Sequence, residues 1–154
     1  MKEAEQMPYM ARAMQLAEEA ALAGEVPVGA VIVDPSTGNI VGEGRNGPIG
    51  AHDPTAHAEI VAIRNACASV DNYRLPDLEL YVTLEPCAMC AGAISFARIG
   101  KVVFAADDPK GGAIKHGPKF FEQSTCHWRS QWEQDIRFAS EAGEMLRAFF
   151  KSRR

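Results

Sequence analysis

The 154-residue sequence predicts an α/β domain, a mixed sheet with helices on both faces. Three observations predict it. An apolar run at 26–33 and a returning strand at 40–45 flank the turn-forming stretch Asp34-Pro35-Ser36-Thr37-Gly38-Asn39, which reads as a hairpin. Strand patterns at 78–84 and 101–105 enclose a helix-length stretch, as in a parallel crossover. Helical periodicity opens and closes the chain.

Residues 8–24 read as a helix, with Pro8 in its first turn, Met10, Met14, Ala17 and Ala21 on one face, and Gly24 at its end. After the hairpin, 46–54 is a loop punctuated by Gly47, Pro48 and Gly50. Thr55 is the expected cap of a helix to about Val70, with Ile60, Ile63, Cys67 and Val70 inward. Leu78, Leu80, Val82 and Leu84 alternate with Glu79, Tyr81, Thr83 and Glu85 in the third strand. Pro86 stops that strand and opens a helix to about Ala97, and Glu85 at the strand end reads as structural. Lys101 to Ala105 form a fourth strand. Residues 107–131 are nearly patternless, apart from a short helix over 118–123. Ser140 is the expected cap of a last helix whose apolar face is Ala142, Met145, Leu146, Phe149 and Phe150.

Length and composition describe one domain over 1–154, since 47% apolar and 23% charged residues suit a packed core and exclude a disordered chain. No apolar run approaches the ~20 residues of a membrane span. The polar segment Met1 to Gln6 lacks the apolar core of a signal peptide, so the chain reads as cytoplasmic. Its four cysteines are then reduced. The net charge of −4 is uneven: residues 1–109 carry 7 basic and 15 acidic side chains, residues 110–154 carry 9 and 5. That basic final third is either a solvated surface or a track for phosphates.

The chemistry concentrates in His57-Ala58-Glu59 and Pro86-Cys87-Ala88-Met89-Cys90. One imidazole and two thiols are three zinc ligands, and a catalytic zinc site keeps its fourth position open for water. Cys87 and Cys90, at i and i+3, share a helix face near the positive end of the helix dipole, which favours thiolates. Glu59 follows His57 by two residues, about 200° round a helix, so it is a proton carrier beside the metal and not a ligand. Parallel crossovers place both helix starts at one sheet edge, where α/β active sites form.

His-x-Glu followed by Pro-Cys-x-x-Cys resembles the zinc site of the cytidine and deoxycytidylate deaminase superfamily. Glu25-Val26-Pro27-Val28-Gly29-Ala30, His52 through Ile60, Tyr81 through Gly92 and Arg98-Ile99-Gly100 extend the likeness toward its bacterial tRNA adenosine deaminase branch. The resemblance implies a three-layer α/β/α fold with about five strands, one Zn2+ per subunit and a homodimer. It implies hydrolytic deamination of a nucleobase, adenosine to inosine at the tRNA wobble position, with Glu59 moving a proton from a zinc-activated water to the departing amine. It assigns Asn46, Val28 and the Ala58 amide to the substrate. In the divergent 107–132 segment and at the C-terminus, Lys110, Phe120, Trp128, Arg129, Lys151 and Arg153 are candidate substrate or RNA contacts, joined by Lys115, Lys119 and Arg154 as a phosphate track toward an anticodon loop. Two further readings use the same residues: a deaminase of a free purine base or nucleoside, and a non-catalytic zinc-stabilised binding module.

Overall fold

Alternation along three central strands decides the architecture. In the computed structural model, which describes residues 3–153, Ala30, Ile32, Leu80, Val82, Val102 and Phe104 face one core, and Val31, Val33, Tyr81, Val103 and Ala105 face another. Both faces of the sheet are therefore covered. The elements run α1 (Glu3–Leu22), β1 (Gly29–Asp34), β2 (Asn39–Arg45), α2 (Pro48–Ala51), α3 (Ala58–Val70), β3 (Glu79–Leu84), α4 (Ala88–Phe96), β4 (Lys101–Ala106), β5 (Gln131–Gln134) and α5 (Ile136–Ser152). α3 and α4 pack on the first core, α1 and α5 on the second, giving the three-layer α/β/α arrangement.

The sheet order is β2-β1-β3-β4-β5. β1 is antiparallel to both β2 and β3, while β3, β4 and β5 are parallel. β2 and β3 thus run the same way with β1 between them. The connections β2–α3–β3 and β3–α4–β4 are both parallel crossovers, so α3 and α4 start at one sheet edge.

Several expected boundaries move. α1 begins at Glu3, which puts Pro8 inside it instead of in its first turn. The first strand starts at Gly29, and 25–28 is a lead-in segment. Thr55 does not cap α3; its N–H and hydroxyl both bond Asp53 Oδ1 in a local turn, and His57 is the N-cap. Asp135, not Ser140, caps α5, accepting from the Arg137 N–H. The strand β5 begins at the end of the nearly patternless stretch 107–131, and a single 3-10 turn, Phe120–Glu122, replaces the expected short helix.

α3 also turns a different face inward. Its buried residues are Ala58, Glu59, Ala62 and Ala66, while Ile60, Ile63 and Cys67 are half-buried and Val70 is exposed. The reason lies on β2. A Cβ at Gly42 would lie 2.6 Å from the Ala62 carbonyl oxygen, and one at Gly44 would lie 2.5 Å from the Ala62 nitrogen and run into the Ala58 carbonyl. Helix and strand touch backbone to backbone, which only glycine opposite alanine allows. Gly44→Ala should therefore lower stability by about 1–3 kcal/mol through overpacking, measured by urea denaturation. An unchanged midpoint would mean that α3 can lift from β2 freely.

Candidate active site

The two strand-to-helix junctions carry the donors. His57 is the N-cap of α3 and Cys87 the N-cap of α4, both in extended backbone, with Cys90 one turn into α4. Neither makes a side-chain capping hydrogen bond of the usual kind. They turn toward each other instead: His57 Nδ1 lies 3.6 Å from Cys87 Sγ and 3.5 Å from Cys90 Sγ. All three donor atoms fall within 4.8 Å of one another. Donors on a tetrahedron with Zn–N of ~2.05 Å and Zn–S of ~2.3 Å stand ~3.6 Å apart, so the set fits a zinc ion.

The charges argue likewise. The two thiols are hydrogen-bonded to each other and shift in opposite directions. Cys87, hydrogen-bonded by Cys90 and beside His57, is drawn down to about 5. Cys90, bonded to that sulfur, buried and close to Glu59, is pushed upward. A divalent cation removes this conflict and lets both ionise.

Glu59 is 4% exposed and lines the same cavity as His57 and Cys87. Because His57 is extended and not helical, the 200° separation does not apply, and Glu59 faces the donors across the end of α3. Burial raises its carboxyl to about 7, against the opposing pull of its own backbone N–H. A carboxyl that titrates near neutrality is suited to giving and taking protons.

The cavity measures about 260 Å³ and is lined by Val26, Val28, Asn46, His57, Glu59, Leu84, Glu85, Cys87, Asp108 and Gly111. That is room for a base-sized group. Asn46 Oδ1 accepts from the Ala58 N–H at 2.8 Å, capping α3 from the end of β2. The buried Ala58 amide is thereby committed, so it positions Asn46 and is not the free donor expected of it. Asn46 keeps its Nδ2 donor for the cavity.

The candidates from the divergent segment are placed elsewhere. Trp128 donates its indole N–H to the Ile99 carbonyl at 2.9 Å, and the Arg98 guanidinium lies over its ring at 5.5 Å. Phe120 packs on the core and edge-on to Phe121. Neither lines the cavity, because core and strand ends use their rings first. Cys126 is buried and bonds the Trp128 carbonyl at 3.1 Å. Lys110 is exposed beside the lining residue Gly111. Arg129 donates to the Gln123 carbonyl, Lys115 bonds Gln134 and pairs with Asp107 at 3.9 Å, and Lys119 is exposed. Lys151 and Arg153 end α5, Arg153 over the Phe149 ring; Arg154 lies outside the described residues. Sequence reasoning missed the lining role of Asp108 and Gly111. Their Asx turn, with Asp108 Oδ1 accepting from Gly111, is a signal that the Asp-Pro-Lys-Gly stretch carries.

The sign of the Glu59 effect is testable. In the metal-free fold the neutral carboxyl is favoured up to about pH 7, whereas the unfolded chain ionises from ~pH 4.3. Its contribution is full below that lower value, falls as pH rises to about 7 and stays lost above. After chelation, Glu59→Gln should be more stable than wild type at pH 8, by up to about 3 kcal/mol, and equal to it near pH 4. Denaturant titrations at both pH values decide; a gap independent of pH contradicts the assignment.

Residues 3–106 match the family described as the cytidine and deoxycytidylate deaminase zinc-binding region. The chain is 46% identical over 151 residues to the tRNA-specific adenosine deaminase of Agrobacterium fabrum, covering 98% of this chain and 97% of that one. It is 48% identical over 145 residues to that of Haemophilus influenzae, covering 94% and 83%. A solved structure from work on A-to-I editing by tRNA:A34 deaminases is 45% identical, with a TM-score of 0.87 over 91% of this chain and 99% of that one. The guanine deaminase of Bacillus subtilis is 34% identical, with a TM-score of 0.64 over 98% and 95%. Matched in its zinc-donor segments, its fold and nearly its whole length, the chain belongs to the zinc-binding cytidine and deoxycytidylate deaminase family.

Proposed function

We propose that this chain deaminates adenosine to inosine at the wobble position of tRNA. The observation that carries the chemistry is a buried Glu59 sharing a base-sized cavity with His57 and Cys87, two members of the His57/Cys87/Cys90 donor set. The adenosine and tRNA parts rest on relatives of 46% and 48% identity that are tRNA-specific adenosine deaminases.

A zinc ion held by His57 Nδ1, Cys87 Sγ and Cys90 Sγ supplies, when bound, the Lewis acidity that makes a water nucleophilic near neutral pH. Glu59 takes the proton that the attacking water gives up and delivers it to the exocyclic amine. Water adds and ammonia leaves, so adenosine becomes inosine. Asn46, locked by Ala58, offers a donor to an acceptor atom of the base or ribose. Val26, Val28 and Leu84 pack against the base and exclude bulk water. In a folded anticodon loop the base must be flipped out to enter. Lys110 beside the cavity, then Lys115, Lys119, Arg129, Lys151 and Arg153, are the exposed cations offered to phosphates. A homodimer belongs to this reading: Met89 (38% exposed) and Phe96 (77% exposed) form an apolar stripe on α4 that a second subunit would cover. No helix among the described residues is long and apolar enough to cross a membrane.

Wild type should release ammonia and form inosine from an anticodon stem-loop carrying a wobble adenosine. Glu59→Ala should keep zinc and lose at least ~10³-fold in rate, while Cys87→Ala should lose the metal itself. The likeness to a guanine deaminase puts free guanine in the same assay. Turnover of guanine with an inert stem-loop would replace the tRNA reading. Light scattering should give a dimer that Phe96→Glu disrupts; a monomeric wild type would remove the dimer.

A further inference from the structure

The Glu85 carboxylate is 2% exposed, and its oxygens accept four backbone N–H bonds from one loop. Oε1 accepts from Asp108 at 2.9 Å. Oε2 accepts from Ile114 at 3.2 Å, Lys115 at 2.9 Å and His116 at 3.0 Å. A ring nitrogen of His116, at 3.9 Å from Oε1, is already bonded to Asp107 at 2.9 Å. The four donors bracket residues 108–116 at both ends. Asp108 itself and Gly111, within the bracketed loop, line the cavity that holds His57, Glu59 and Cys87.

The loop is fastened a second time to the same stretch of chain, where the Ala113 N–H donates to the Pro86 carbonyl at 2.9 Å. Gly112 lies directly against the carboxylate. A Cβ there would run into Glu85 Cδ and lie 2.6 Å from the Asp108 carbonyl oxygen. Pro109, Lys110 and Gly111 are exposed, and the Lys110 and Gly111 N–H groups bond Asp108 Oδ1 within the loop. Bonds to a charged acceptor are the stronger class, and here three N–H groups converge on Oε2 and one on Oε1.

We propose that Glu85 is a positioning residue for the deamination, holding the 108–116 loop as the wall against which the substrate docks. This rests on the reading of the cavity as a nucleobase site. Leu84 and Glu85 line the cavity and Cys87 is a metal donor, so one short stretch registers the wall against the metal. The wall governs how well the substrate is held, and the proton transfers at Glu59 proceed once it is bound.

Two variants test this. Glu85→Gln keeps the shape but turns an NH2 group toward N–H donors. Gly112→Ala keeps the carboxylate and its charge but lifts the loop away from it. Zinc-loaded forms of both should show KM for the stem-loop raised about tenfold with kcat within about threefold. Hydrogen exchange should quicken at the amides of 108 and 114–116, with zinc content unchanged. A merely structural role would lower the active fraction, moving kcat and leaving KM in place; that result, or unchanged exchange in both variants, overturns the proposal. Should Glu85→Gln fail to fold, Gly112→Ala decides by itself. Should wild type turn over guanine and not the stem-loop, the tRNA reading fails separately, and the same split is read on guanine.

Discussion

One nitrogen and two sulfurs from chain segments thirty residues apart must meet within a few ångströms, and everything else in the structure is arranged round that requirement. The meeting is made by two parallel crossovers whose helices start at one sheet edge. It fails if either helix slides by a turn. The backbone contact between Gly42 and Gly44 on β2 and the alanine face of α3 prevents such a slide at His57. On the other side, β3 and β4 pair in register through Leu84 and Ala106, which fixes where Cys87 emerges. Donors placed at N-cap positions give up the capping role that their helices would otherwise take from them. Asn46 takes over part of it for α3, and so a cavity residue is held in place by the helix it caps.

Glu25, Glu59 and Glu85, all buried, divide the remaining work by what satisfies them. Glu25 accepts from the Ile49 and Gly50 N–H groups and so builds the short α2 after Asn46. Glu85 accepts from four amides and builds the facing loop. Both satisfy backbone N–H groups that no sheet ladder takes. Glu59 has no such ring of loop amides, and burial drives its carboxyl toward protonation. Buried carboxylates with full sets of donors are scaffolding, and the one left with a contested proton is the one placed to move it.

The site was legible in sequence because its chemistry is local. His57-Ala58-Glu59 and Cys87-Ala88-Met89-Cys90 each span one junction, and residue type and spacing are enough to name the donors. The hairpin and the β3–α4–β4 crossover were legible for the same reason, since their patterns complete within one element. What was illegible depended on partners far along the chain. Trp128 and Phe120 read as substrate or RNA contacts until the Ile99 carbonyl and the core take them. β5 has no alternation of its own and exists because the edge of β4 needs pairing. The inward face of α3 is the alanine row, though Ile60 and Ile63 are the more apolar choice, because close approach to glycine on β2 excludes larger side chains.

By itself, the sequence determined the reaction class, the donor set and the alternation that makes the sheet two-sided, since each is a property of residue type at short spacing. Tertiary structure alone decided the orientation of Glu59, the commitment of the Ala58 amide to Asn46, and the wall of the cavity built on Glu85. Those depend on which groups arrive opposite one another after folding, and hydrogen-bond partners separated by twelve to thirty-one residues leave no periodic trace in the chain.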